Sequence, residues 1–213
     1  MNPVSDSALV DLERPVSLGA FEGYGVELEY MLVSRRSLDV LPIADAVFHG
    51  APGQTGPGEL THGLCGWSKE LVAHVMEAKN IAPVDDLERL PAAFQHEIAW
   101  LDARLRERGA QLMPGGMHPW MDPLTQTRLW PHNDAIYRAY DRIFHCRSHG
   151  WANVQSTHIN LPFANDREFA RLHAAVRLIL PIIPALAASS PFVEARAPGI
   201  LDCRMAAYRA NAS

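Results

Sequence analysis

Only three cysteines occur in the 213 residues, Cys65, Cys146 and Cys203, an odd and scattered set with no CxxC spacing. That excludes a disulfide framework and fits reduced thiols in a cytoplasmic protein. Lysine is scarcer still: Lys69 and Lys79 stand alone, and arginine supplies the rest of the positive charge. With a net charge of −5, a pI of about 6.0 and no cluster of basic residues, a nucleic-acid surface is excluded. Long apolar runs are missing as well. The most apolar stretch, 178–188, is too short to span a bilayer and contains Pro181 and Pro184. It reads as a buried, kinked helix, so no membrane is expected as a partner. The N-terminus is acidic and has no apolar signal core. The histidines follow no HExxH or comparable zinc spacing, and neither an internal repeat nor a low-complexity block is present.

What remains is ordinary for a soluble globular protein: 48% hydrophobic and 20% charged residues, enough for one large domain or two small ones. Residues 1–20 read as a loose leader. Gly25 to Val33 alternates like a strand, with Val26, Leu28, Tyr30 and Leu32 on one face. The glycine- and proline-rich segment 49–63 reads as a flexible surface loop, long enough for a lid or binding loop. Leu71 to Ala78 reads as a second strand, ending near Glu77. Asp85 or Asp86 then caps a long helix through Leu87, Leu90, Phe94, Ile98, Leu101 and Leu105, stopped by Gly109. Ala110 to Met113 reads as a short strand, 133–147 as a helix and Asn153 to Leu161 as a strand. Asn165 and Glu168 form a capping box that opens a further helix. This order predicts an α+β fold, a mostly antiparallel sheet with helices packed on one face and a site on the open face.

Glu27 and Glu29 carry the chemistry. Two apart on a strand, they project from the face opposite the apolar residues, roughly 6–7 Å apart at the backbone. At an effective dielectric near 20 two such charges repel by about 2–3 kcal/mol. Either the face lies in water or a hard divalent cation such as Mg2+ offsets the charge. Ser156, His158 and Asn160 likewise share one strand face, and such a polar row needs solvent or a ligand. Gln155 falls on the opposite face and can simply sit in the sheet. Glu70, seven residues before Glu77, has opposite strand parity and faces away unless a bulge intervenes. His118, in the turn 114–120, either enters the site or caps the turn. The five tryptophans read as core or rim aromatics.

Five segments in order carry a resemblance: Gly-Val-Glu-Leu-Glu-Tyr at 25–30, His-Val-Met-Glu at 74–77, Gly-Met-His-Pro at 116–119, Gln-Ser-Thr-His-Ile-Asn-Leu at 155–161 and Leu-Asp-Cys-Arg-Met-Ala-Ala-Tyr-Arg-Ala-Asn at 201–211. Together they resemble glutamate–cysteine ligase family 2, carboxylate–amine ligases with a glutamine synthetase-like catalytic domain. The resemblance implies ATP and Mg2+ as cofactors and a γ-glutamyl amide as product, formed through an acyl phosphate. Its expected substrates are glutamate with cysteine, as in glutathione biosynthesis, or with another amine; a homo-oligomer stays open. It implies Glu27, Glu29, Glu77 and His158 as metal ligands, and His158, Asn160 and Arg204 as nucleotide contacts. Arg204 is also the implied catalytic residue, against phosphate or the substrate carboxylate, rather than a surface partner of Asp202. Tyr208 and Asn211 follow in the same motif.

Family members run further, so the resemblance makes 21–213 the N-terminal part of such a domain, incomplete at its C-terminus. Two rival readings are a truncated homologue that binds nucleotide or metal without turnover, and a metal-dependent hydrolase using His118 and His158. The expectation for the purified 213-residue chain is weak or no ligase activity, checked by following ATP turnover.

Overall fold

The computed structural model describes residues 18–132 and 134–211. The expected leader therefore lies almost wholly outside the described residues. Seven strands form one antiparallel sheet: β1 (Gly25–Ser34), β2 (Gln54–Gly56), β3 (Glu59–His62), β4 (Cys65–Lys69), β5 (Val75–Asn80), β6 (Ala110–Met113) and β7 (Thr157–Asn160). The helices are α1 (Ala44–Phe48), α2 (Leu90–Arg106), α3 (Pro123–Gln126), α4 (Asp134–Phe144), α5 (His149–Ala152), α6 (Asp166–Ile179), α7 (Ile183–Ala187) and α8 (Cys203–Asn211). This is the α+β, mostly antiparallel architecture that the alternation predicted.

β1 is the centre of the sheet. One edge pairs with β5 and the other is shared, β7 taking Gly25–Leu28 and β6 taking Met31–Ser34. In the gap between them the Glu29 amide donates to the Ser156 carbonyl at 3.1 Å. The Met31 amide donates to the Gln155 side-chain oxygen at 2.6 Å. Gln155, buried in the sheet as its parity suggested, thus completes the ladder where no strand can.

Alternation along β1 sorts the two faces. Val26, Leu28, Tyr30 and Leu32 join Trp67, Met76 and Ala78 against Leu90, Phe94, Leu101 and Leu105 of α2. The front face carries a second apolar cluster, with Met31, Val33, Val75 and Met121, at one end only. At its other end the acidic residues stand open. α2 forms as its spacing required: Asp86 accepts from the Glu88 amide to start a 3-10 turn, Pro91 sits in the first helical turn, and Gly109 ends the segment at φ +65°.

Four expectations change. The 49–63 segment is not a free lid but the β2–β3 hairpin, turned by Pro57 and by Gly58 at φ +81°, and it extends the sheet through β4. The short strands alternate too little to be read from the sequence. The second strand is β5, with Glu77 in its interior, because 71–74 is held instead by loop contacts such as Ala73 amide to Arg128 carbonyl. The last strand is only 157–160, since residues 153–155 bond to the 116–118 turn and to β1. The 178–188 stretch is kinked as expected but not buried: Leu178 is 79% and Leu186 82% exposed. α6 ends at Ile179 and α7 begins at Ile183, and no described element packs over these side chains.

The hairpin is clamped to α2 through Glu97, 1% exposed. Its carboxylate accepts from His62 Nδ1 at 3.0 Å and from His96 Nδ1 at 3.3 Å. His62 also packs on Trp100, ring centroids 4.3 Å apart. Removing the His62 ring leaves a buried carboxylate short of its closer donor, which costs about 1.5–3 kcal/mol. His62→Ala is expected to lower the denaturation midpoint accordingly, and His96→Ala, whose ring is largely in water, to change it far less; thermal or urea unfolding measures both.

Candidate active site

Cross-strand register assembles the acidic residues into two adjacent rows on the front face. Lys79 of β5, Glu27 of β1 and His158 of β7 lie side by side. Next to them run Ser68 of β4, Glu77 of β5 and Glu29 of β1, followed by Ser156. Two residues apart on one strand means the same face, so the sheet needs no special turn to bring these groups together. Expected site residues Glu27, Glu29, Glu77, His158 and Asn160 all converge here.

Each acid has local donors. Glu27 accepts from His158 Nδ1 at 2.6 Å and from Asn160 Nδ2 at 2.9 Å. Burial works against its charge, but these two hydrogen bonds outweigh it and hold Glu27 below the usual carboxylate range. Glu29 accepts from the Ser156 amide at 2.7 Å and hydroxyl at 3.1 Å. Burial nevertheless wins, and its carboxyl is pushed up. Glu77 accepts from the Ser68 hydroxyl at 2.8 Å, with Lys79 Nζ at 3.8 Å and His158 Nδ1 at 3.9 Å. His158 is itself raised: burial opposes its charge, while the hydrogen bond to Glu27 and the charges of Glu29, Glu27 and Glu77 favour it.

Glu70 joins this group, against its expected parity. It lies in the connection between β4 and β5, not on a strand, so alternation does not govern its direction. Glu29, Glu70 and Glu77 offer oxygens within 4.8 Å of one another, and so do Glu27, Glu77 and His158, with Glu77 common to both sets. Burial first, and then the charges of Glu77 and Glu29, push the Glu70 carboxyl up to about 7. The odd seven-residue spacing to Glu77 pointed away from the site, and only the irregular backbone at 70–74 overrides it.

Arg204 opens α8 and approaches from the β7 side. Its Nη1 donates to the Gln155 carbonyl at 2.9 Å, and Nη2 stands 3.6 Å from Asp202. It lines a cavity of about 610 Å3 with Glu29, Ser156, His158 and Tyr208, one wall of which is apolar through Ile183, Pro184 and Met205. A second cavity of about 260 Å3 shares Glu29, Ser156, His158 and Tyr208 and contains Glu70. Tyr208 therefore enters the site, whereas Asn211 accepts from Ser148 and ties α8 to α5. His118 is buried away from the acids: its Nε2 donates to the Leu38 carbonyl at 2.7 Å, and Nδ1 accepts from the Met121 amide at 3.1 Å. It caps the turn, so the hydrolase reading loses one of its two ligands. Trp67 and Trp130 are core, and Trp120 and Trp151 are partly exposed. The three cysteines are free and buried, and no described helix is long and apolar enough to cross a membrane.

Comparison with known proteins follows the same lines. The family model described as glutamate-cysteine ligase family 2 matches residues 24–212. An uncharacterized protein of Archaeoglobus fulgidus is 34% identical over 188 residues, 88% of this chain and 50% of its own length. A Rubrobacter xylanophilus protein named "Putative glutamate--cysteine ligase 2-3" is 30% identical, covering 88% of this chain and 47% of its own length. A Bradyrhizobium diazoefficiens protein named "Putative glutamate--cysteine ligase 2" is also 30% identical, covering 87% and 41%. The chain thus spans about half the length, or less, of these curated relatives.

A cation bound at these clusters would inherit a pH dependence from the raised groups. Glu70, near 7, and His158, raised above its ordinary value, hold protons at pH 6 that a divalent cation must displace. Above pH 7 Glu70 is ionised already, so affinity rises with pH. Titration calorimetry with Mg2+ should show binding about tenfold tighter at pH 8 than at pH 6, and a flatter profile for Glu70→Gln.

Proposed function

Since this chain belongs to glutamate-cysteine ligase family 2, we propose that it serves an ATP- and Mg2+-dependent ligase that joins the γ-carboxylate of glutamate to an amine, cysteine first among the candidates. The observation that carries this reading is the pair of acidic clusters sharing Glu77, of which Glu29 and His158 line the cavity that Arg204 also lines.

The donor set fits a hard divalent cation. Its members are carboxylate oxygens with one imidazole, and burial together with the charges of Glu77 and Glu29 pushes the Glu70 carboxyl up to about 7. Glu27, Glu77 and His158 would hold a cation on one side of Glu77, and Glu29 and Glu70 on the other. When bound, Mg2+ screens the nucleotide phosphates and draws charge from the terminal phosphoryl group.

The chain's own groups then position and stabilise. Ser68, Ser156 and Asn160 fix the carboxylates by hydrogen bonds, so little reorganisation remains when a substrate arrives. In this reading His158 and Asn160, at the outer end of the rows, meet phosphate oxygens. Arg204, anchored on the Gln155 carbonyl, offsets charge on the transferring phosphoryl group or holds the substrate carboxylate. In the proposed reaction a γ-carboxylate oxygen attacks the terminal phosphorus and ADP leaves. The amine nitrogen then attacks the acyl carbon, phosphate departs with that oxygen, and the nitrogen gives up a proton. A carboxylate alone is too poor an acylating agent, and the phosphate supplies the leaving group.

The test is isotopic. With glutamate labelled by oxygen-18 in its γ-carboxylate, MgATP and cysteine, one labelled oxygen is expected in the released phosphate for each amide formed. ADP release that ignores glutamate, or unlabelled phosphate, would defeat the ligase reading. Because the 213-residue chain alone is expected to turn over weakly or not at all, the assay uses the full-length gene product. MgATP binding by that product without any turnover would instead support the nucleotide-binding homologue. Replacing cysteine by other amines decides the acceptor.

A further inference from the structure

Lys79 is one of two lysines in the chain, and the fold places it among the acids. It is register partner of Glu27 and its ammonium is 3.8 Å from Glu77 Oε1, beyond hydrogen-bond reach. The side chain is 36% exposed. On the neighbouring strand its register partner is Gly66, which has no side chain to shield it. Gly66 is not free to be larger: a Cβ there would lie 2.2 Å from the Leu60 carbonyl oxygen. The ammonium therefore lies beside the acidic rows, uncovered on the β4 side, and beyond hydrogen-bond distance of Glu77.

Two cationic side chains flank the acids from opposite edges of β1. Arg204 comes from the β7 side, anchored on a backbone carbonyl inside a cavity with an apolar wall, a setting for an organic acid. Lys79 comes from the β5 side, in the open, as a compact point charge with three donors. The proposed reaction brings two anionic groups to the acids, the nucleotide phosphates and the free carboxylate of the acid substrate. We propose that Lys79 is a phosphate-positioning residue, its ammonium meeting a phosphate oxygen of the bound nucleotide beside Glu27 and Glu77. This rests on the ligase reading above and assigns a role to a residue outside the expected ligand set. A lysine serving only as counter-ion to Glu77 would differ in MgATP: its removal would leave the acids more negative and would not weaken the nucleotide complex, whereas Mg2+ alone would bind at least as tightly in either case.

Calorimetric titrations of Mg2+ alone, MgATP and glutamate separate these cases in the wild type, Lys79→Gln and Lys79→Arg. Expected for Lys79→Gln is MgATP binding weakened about tenfold, with a shallower salt dependence, while Mg2+ binds at least as tightly as before and glutamate is unaffected. Lys79→Arg should keep MgATP affinity within about threefold of the wild type, since charge and donors survive. MgATP affinity unchanged in Lys79→Gln overturns the proposal and leaves the ligase reading standing. Mg2+ and MgATP weakened together, or glutamate weakened alone, also overturns it. A wild type that binds no MgATP removes both.

Discussion

Four carboxylates, Glu27, Glu29, Glu70 and Glu77, crowd one end of one sheet face, and their mutual repulsion is the constraint around which the site is arranged. Each neighbouring pair opposes the others by on the order of 2–3 kcal/mol at protein-like dielectric. The fold offsets this in two ways. Hydrogen-bond donors from Ser68, Ser156 and Asn160 stabilise the charges individually. His158 and Lys79 add positive charge within the rows. At Glu70 burial adds to the repulsion of Glu77 and Glu29 and pushes the carboxyl up to about 7. A carboxyl that keeps its proton near neutral pH exchanges it when a cation binds.

The sheet supplies the rigidity that this needs. β1 carries two of the acids and is paired on both edges, its outer edge divided between β6 and β7 and joined across the gap by the Gln155 side chain. The opposite face of the same strand packs against α2 and the Trp67–Met76 cluster. Glu27 and Glu29 therefore have little freedom to move apart, and their separation is set by the strand repeat itself. The family match covers residues 24–212, and the fold independently gathers Glu27, Glu29, Glu77 and His158, the residues that the sequence resemblance implied, at one end of one sheet face.

Legibility followed periodicity. The β1 alternation, the α2 stripe with its Asp86 cap, the Ala110–Met113 strand and the Asn165 cap of α6 were all readable, because each rests on local spacing or on one side chain bonding to nearby amides. The hairpin at 54–62 was not, since strands of three or four residues between glycines leave no period to detect. Nor was the exposure of Leu178 and Leu186, because apolar composition states a preference for burial but not whether a partner surface is at hand.

By itself the amino-acid order determined that Glu27 and Glu29 share a face with each other, and that His158 and Asn160 share one too, because a strand's side chains alternate wherever it is placed. Only the tertiary structure decided that these two faces coincide, that Glu70 swings in from a non-strand connection, and that Lys79 and Arg204 flank the acids from opposite edges. Those relations depend on which strands pair and in what register, a choice made by long-range packing of α2 and the β1–β5 core, and no local rule encodes it.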